Sequence, residues 1–174
     1  ALYGSDALGG VIQIFTRPAA EKFAGRIALE AGNQGQRNGS AFVSVGTARF
    51  GAAASYRDAR VEGERKNSDW RERNGSLRLE GRLGESWRLA LEGAILDGEL
   101  GVPGPVGRET PRNRSAFREE KIALPVSFQP ATNHEASLLV AHVASKPTFD
   151  SPSFSSETDA RTFQARASDT WRVG

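Results

Sequence analysis

The sequence contains no cysteine and no methionine among its 174 residues. Without cysteine, both a disulfide framework and a cysteine-based metal site are excluded. Because Ala1 is not a methionine and falls inside a recognisable sequence pattern, we expect the natural start of the protein to lie upstream.

Long apolar runs are also absent. No segment approaches the roughly 18 to 20 consecutive apolar residues that a transmembrane helix needs, and the mean hydropathy is −0.47. The sequence therefore excludes a helical membrane protein. A β-barrel is compatible with this composition, because its strands are apolar on one face only.

A basic stripe is the third missing feature. The formal net charge is +2, and Lys and Arg are spread singly along the chain with acidic residues beside them. A nucleic-acid-binding surface requires clustered cations. We therefore expect no nucleic-acid partner.

Short alternating segments rich in glycine and separated by polar turns are present instead. In one of them Leu77 and Leu79 alternate with Arg78 and Glu80, which puts apolar and charged side chains on opposite faces of a strand. The pattern predicts an all-β chain with eight candidate strands: Phe23 to Gly32, Ser40 to Gly46, Phe50 to Asp58, Trp70 to Leu83, Trp87 to Leu96, Phe117 to Phe128, His134 to Ala144 and Ala160 to Trp171.

The connections between these segments alternate in length. Short ones lie at Thr47 to Arg49, Gly84 to Ser86 and Gln129 to Asn133, and longer polar ones at Asn33 to Gly39, Ala59 to Asp69, Asp97 to Ala116 and Ser145 to Asp159. In an antiparallel up-and-down meander this alternation puts all the long loops at one edge of the sheet. Outer-membrane barrels have that asymmetry, and their strands need about 9 to 11 residues to cross a bilayer.

Four aromatic residues, Phe50, Trp87, Phe128 and Trp171, fall at strand ends next to short turns. They are predicted to form one girdle at a membrane interface. A soluble β-sandwich would show the same alternation, but strand length, loop asymmetry and the girdle favour a barrel.

Three segments fit the pattern less well. Pro125 cannot donate to a strand ladder, so the sixth strand is expected to bulge or end there. Leu138 to Val140 are consecutive apolar residues and leave the face assignment open. Asn74-Gly75 would suit a hairpin turn, which competes with a continuous strand from Trp70.

The opening segment reads ALYGSDALGGVIQIFTR, and its residue pattern differs from that of the rest of the chain. The segment from Leu2 to Arg17 resembles the end of the plug domain of TonB-dependent receptors. Its residues are most similar to those of vitamin B12 and catecholate siderophore receptors. A weaker likeness lies in GVPG, at Gly101 to Gly104, which resembles an outer loop of these receptors. The residues that carry the plug motif are Leu2, Tyr3, Gly4, Ser5, Asp6, Ala7, Leu8, Gly9 and Gly10.

The resemblance implies a plug end at residues 1–18, a linker at 19–22 and, at 23–174, the first part of a transmembrane barrel of about 22 strands. It also implies a bacterial outer-membrane location, contact with membrane lipid, and uptake of a metal chelate or vitamin energised through TonB. Because the TonB-contacting segment and most strands lie outside this sequence, we do not expect these residues alone to transport.

Candidate site residues fall into three groups. The charged side chains expected to face a barrel lumen include Arg78, Glu80, Arg82, Arg88 and Glu92, and the loop residues suited to an anionic chelate are Arg108, Arg112 and Arg114. Glu62, Glu64 and Asp69 are weak candidates for calcium, since they match no ligand-loop spacing. No catalytic motif and no cofactor is predicted, and His134 and His142 are too far apart on one strand to share a metal.

Two other readings stay open. The segments could close on themselves as a small stand-alone eight-stranded outer-membrane barrel of adhesin or structural type. They could also form a soluble, carbohydrate-binding β-sandwich.

Overall fold

A computed structural model describes residues 22–172 as a single antiparallel sheet. Its strands are β1 (Ala24–Ala31), β2 (Arg37–Gly46), β3 (Phe50–Val61), β4 (Trp70–Leu83), β5 (Trp87–Gly101), β6 (Arg114–Ala131), β7 (His134–Ser151), β8 (Phe154–Glu157) and β9 (Ala160–Trp171). No helix in this part of the chain is long and apolar enough to span a membrane.

Each strand from β1 to β8 pairs with the next one along the chain, and β9 pairs with β7. The short β8 pairs with the end of β7, where Thr148 faces Glu157, and β9 continues in the same register, with Ser145 facing Ala160. β8 and β9 therefore act as one strand interrupted at 158–159. The predicted all-β meander is confirmed, and this interruption raises the strand count from eight to nine.

Strand boundaries agree best in the middle and at the end of the chain. β4 and β9 run over the predicted residues, and Asn74-Gly75 lies inside a continuous β4. The predicted long loops were too long: β5 continues to Gly101, β6 begins at Arg114, and most of the segment predicted as a loop after Ala144 is strand. The alternation of short turns with longer connections holds from β1 to β7, but it fails after β7, where residues 152–153 form a two-residue turn to β8. We call the edge with turns 47–49, 84–86 and 132–133 the turn edge, and the opposite one the loop edge.

Pro125 neither ends β6 nor bulges it, contrary to the expectation. β5 and β6 pair at Leu89↔Val126 and again, in the same register, at Glu92↔Ala123. Between these two pairs only Leu124 and Pro125 lack a pairing partner in β5, because proline has no N–H to donate. A register shift does occur in β6, between Phe128 and Ala131, next to the turn edge.

Residues directly opposite each other on neighbouring strands share a face. One face, the band face, carries an apolar band that includes Leu77, Leu79 and Leu91, which are 49%, 43% and 43% exposed. No second layer among residues 22–172 covers them. The girdle aromatics lie on this face at the turn edge, where the rings of Trp87 and Phe128 are 4.4 Å apart.

The opposite, charged face carries Arg78 and Glu92, which are directly opposed. The buried alanines lie on this face, between longer polar neighbours; they are Ala59, Ala90, Ala123 and Ala141. The ambiguous apolar run in β7 is divided between the faces, because Leu138 and Val140 lie in the band and Leu139 lies opposite Pro125.

Towards the loop edge the polarity of both faces inverts. On the band face a row of charged residues crosses five strands; it consists of Asp58, Arg73, Asp97, Arg118 and Lys146 and is called the charged collar. At that end the charged face carries apolar side chains instead. We call Trp70, Phe117 and Phe149, together with Leu100, the aromatic patch.

Candidate functional site

Three of the five predicted lumen-facing residues form an ion-pair cluster in the middle of the charged face. Arg78 Nε donates to Glu80 Oε2 at 2.9 Å, and the same guanidinium pairs with Glu92. The register explains the cluster, since Arg78 and Glu92 are cross-strand partners and Glu80 lies two residues further along the same face. Cross-strand pairs of opposite charge each contribute modestly to stability.

Arg82 and Arg88 are also directly opposed, four residues nearer the turn edge than Arg78 and Glu92. Arg88 donates to the side-chain oxygen of Gln129 at 3.3 Å. With Arg49 they line a concavity of about 660 Å³ that extends from β3 to β7. The predicted charged residues therefore share one face, and all but Glu92 line its concavity. The closure of that face into a lumen stays a prediction.

The aromatic patch was not among the residues singled out from the sequence. The ring of Phe117 lies over Gly98, its neighbour opposite in β5, and occupies the space where a Cβ would stand. Such pairing of an aromatic ring with glycine fixes both the ring and the strand register. The available signal was the inverted alternation in β5, where Leu96 and Leu100 point to the charged face.

Two connections at the loop edge are joined into one unit by Asn67. Its side-chain amide nitrogen lies 3.2 Å from the carbonyl oxygen of Val102, 2.7 Å from that of Thr110 and 2.8 Å from that of Asn113. Asn67 has a φ of 61°, a left-handed conformation that asparagine tolerates better than most residues. Arg65 adds a hydrogen bond to the carbonyl of Gly104.

The three candidate loop arginines are separated by the fold. Arg108 and Arg112 are exposed in the connection 102–113, whereas Arg114 begins β6 on the band face. Arg114 pairs with Asp69 at 2.8 Å and with Glu99 at 2.7 Å. These contacts give Arg114 a structural role, and they leave Arg108 and Arg112 as the accessible cations of this loop.

The weak calcium candidates take three different partners. Glu62 lies against Gly35, Glu64 accepts a hydrogen bond from Gln34 at 2.7 Å, and Asp69 holds Arg114. Within residues 22–172 no group of three or more acidic or histidine side chains could hold a metal ion.

The two histidines also lie apart. His134 stacks on Trp171, with ring centroids 3.8 Å apart, and its Nε2 is 2.6 Å from Asp169. His142 lies further along β7, opposite Ile122 and Phe163. The plug-like residues Leu2 to Gly10 fall outside the described residues.

Comparison with known proteins finds similarity to a transporter. The chain is 31% identical over 126 residues to the vitamin B12 transporter BtuB of Photobacterium profundum, a match that covers 67% of this chain and 21% of that protein. The chain is similar to part of a transporter. It spans about a fifth of the length of this relative. No protein-family model matches the chain, and no solved structure matches it. Nothing in these similarities supports the catecholate subgroup.

Proposed function

We propose that this chain is part of an outer-membrane TonB-dependent transporter and that the apolar band faces lipid. The observation that carries the proposal is the apolar band, exposed on a single-layer sheet and bounded by the aromatic turn edge and the charged collar. Residues 1–18 would be the end of the plug, 19–22 the linker and 23–174 the first barrel strands. Similarity to part of a vitamin B12 transporter supports this assignment.

The dimensions of the band fit a bilayer. On β5 the band extends from Trp87 to Ile95, which is roughly 27 Å along a strand. A strand tilt of about 40° reduces this length to a height of about 21 Å, slightly less than the apolar band of about 25 Å typical of outer-membrane barrels. A soluble sandwich would instead bury Leu79 and Leu91 under a second sheet.

The loop edge of the charged face is the proposed ligand site. The aromatic patch offers flat apolar rings, and Arg108 and Arg112 lie in the adjoining connection. We propose cobalamin as the ligand, because a large ring system stacks well on aromatic side chains and because the similar protein is a vitamin B12 transporter. A ferric siderophore, for which the two arginines would supply cationic contacts, is the alternative.

Uptake measurements test this proposal. The gene as encoded should restore uptake of labelled cobalamin in a strain that lacks its own cobalamin transporter, and the restoration should vanish when TonB is deleted. Parallel assays with ferric chelates decide between the two ligands. If neither ligand is taken up, or if uptake continues without TonB, the proposed function is wrong.

Variants can locate the ligand site. Trp70→Ala and Phe117→Ala should each lower cobalamin binding by about tenfold if an aromatic stacking contact is lost. Phe163→Ala is the matched control, because it removes an exposed aromatic ring from the band face. Equal effects of all three variants would contradict the site.

A further inference from the structure

We propose that Arg37, Arg60 and Arg71, called the arginine row, bind the phosphate of an anionic phospholipid at the upper margin of the apolar band. The inference rests on the membrane placement proposed above, although it does not depend on the transported ligand. It arises from three arginines placed side by side on three neighbouring strands.

The register fixes this arrangement. Arg37 of β2 is directly opposite Arg60 of β3, and Arg60 is directly opposite Arg71 of β4. Directly opposed residues have Cβ atoms about 5 Å apart on one face, and like charges in that position destabilise a sheet. An anion bound between them would relieve this repulsion.

Nearby carboxylates neutralise the row only in part. Asp58 is shared by Arg71 at 3.0 Å and Arg73 at 3.4 Å. Among the described residues neither Arg37 nor Arg60 has a carboxylate within 4.0 Å. Glu99, which is opposite Arg71, is held by Arg114. The row therefore carries excess positive charge on an exposed surface.

An apolar groove lies on the same face, below the row and separated from it by the residues of one intervening row, Gly39 and Asp58. It has a volume of about 690 Å³, and its lining includes Ile27, Ala41, Val43, Ala54 and Tyr56. The small side chains of Ala41 and Ala54 open the groove between larger neighbours.

Tyr56 is two rows below Arg60 along β3, so the upper end of the groove lies roughly 14 Å from the arginines. A phospholipid has the matching shape, with an acyl chain to fill the groove and a phosphate to reach the arginines. A free phosphate ion would leave the groove empty. Arginine is well suited to the phosphate, because its planar guanidinium can donate two parallel hydrogen bonds to phosphate oxygens.

Native mass spectrometry of the protein as its gene encodes it, after exposure to mixed phosphatidylcholine and phosphatidylglycerol vesicles, tests the proposal. The unmodified protein should retain phosphatidylglycerol. The R37Q/R60Q double variant should bind the first such lipid about 25-fold more weakly, since each arginine near a membrane surface contributes on the order of fivefold. The R37K/R60K variant should retain part of the affinity.

The matched control is R88Q/R166Q, which removes the same charge from the charged face and away from the groove. It should leave phosphatidylglycerol retention unchanged. Retention by R37Q/R60Q equal to that of the unmodified protein would overturn the lipid site. Displacement of the lipid by millimolar inorganic phosphate would also overturn it, by identifying a free anion as the ligand.

A separate readout distinguishes failure of the lipid site from failure of the membrane placement. Phosphatidylcholine with brominated acyl chains should quench the fluorescence of Trp87 and Trp171 in every variant. Quenching without selective phosphatidylglycerol retention rejects only the arginine row. Absence of quenching in the unmodified protein rejects the membrane placement itself.

Discussion

At the scale of single residues, Asn67 is the main contact between the loops of the loop edge. Its backbone is left-handed, and its amide protons are shared among three carbonyl groups of the neighbouring connection. Asn67→Gly keeps the backbone conformation and removes the donors, which should cost about 1 to 2 kcal/mol of local stability. Limited proteolysis within 102–113 should become several-fold faster.

Asn67→Asp is the informative companion to that variant. It keeps the side-chain shape but sets a carboxylate against the carbonyl oxygens of Val102, Thr110 and Asn113, so cleavage should be faster than in Asn67→Gly. If both variants resist protease as the unmodified protein does, Asn67 does not hold the two connections together.

Glu109 gives the loop edge a pH dependence. The backbone N–H of Gly107 donates to its carboxylate at 2.9 Å, and this hydrogen bond, followed by one from its own backbone N–H, lowers the pKa of Glu109 from the usual 4.5. A lowered folded-state pKa means that this contact stabilises the loop above the unfolded-state pKa and is lost as pH falls through the folded value.

The amide resonance of Gly107 should therefore shift with pH at a midpoint below 4.5. In Glu109→Gln that shift should disappear. A midpoint above 4.5 in the unmodified protein would be the contrary result.

At the scale of strands, a charged residue in the middle of the apolar band should be costly. Leu79 lies midway along the band part of β4, opposite Ala52 and Leu91. Leu79→Arg should lower the stability of the membrane-inserted protein by about 2 to 4 kcal/mol, because lipid cannot solvate the guanidinium. Denaturant unfolding from vesicles measures this change.

Two controls separate charge from packing in that experiment. Leu79→Ala removes the apolar side chain without adding charge, and Gln164→Arg adds the same charge on the opposite face. Both should cost clearly less than Leu79→Arg. If Leu79→Arg unfolds like Leu79→Ala, the band does not face hydrocarbon.

Strand ends also show where sequence reasoning works and where it stops. In β4 the pattern of Leu77 to Leu83 identified both the strand and its two faces, because one face is apolar and the other charged. Beyond the band in β5, Asp97 and Glu99 point to the band face and Leu100 to the charged face. A prediction that requires one face to be apolar along the whole strand places the strand end at this inversion. The predicted loops were too long for this reason.

The same inversion hid part of the candidate site. Trp70, Phe117 and Phe149 are widely separated in sequence, and only the pairing register places them on one face. The arginine row was hidden for the same reason, since Arg37, Arg60 and Arg71 lie in or next to segments that the sequence predicted as loops. The placement of Arg78, Glu80 and Glu92 on one face, by contrast, followed from simple alternation.

At the scale of the whole molecule, the described sheet has two open edges. β1 and β9 each have one neighbour among residues 22–172, so their outer N–H and C=O groups lack strand partners there. Open edges template further pairing. The isolated 174-residue chain, refolded in detergent, should therefore self-associate.

Light scattering after size-exclusion chromatography would measure this association. A protein that supplies the neighbouring strands should not self-associate in this way. A stable monomer of the isolated chain with full strand content would mean that β1 and β9 close on each other, which would favour the stand-alone barrel.

The inversion of polarity between the apolar band and the charged collar has a mechanical consequence. Sliding the sheet by two residues along its strands would immerse the row that contains Arg73, Asp97 and Arg118 in hydrocarbon, or else lift leucines into water. Either displacement is opposed by a steep free-energy gradient. The depth of the sheet in the membrane is therefore fixed to within about one row of side chains. A pulling force on anything held inside the sheet should leave this depth unchanged. A bilayer of different thickness would have to deform around the sheet.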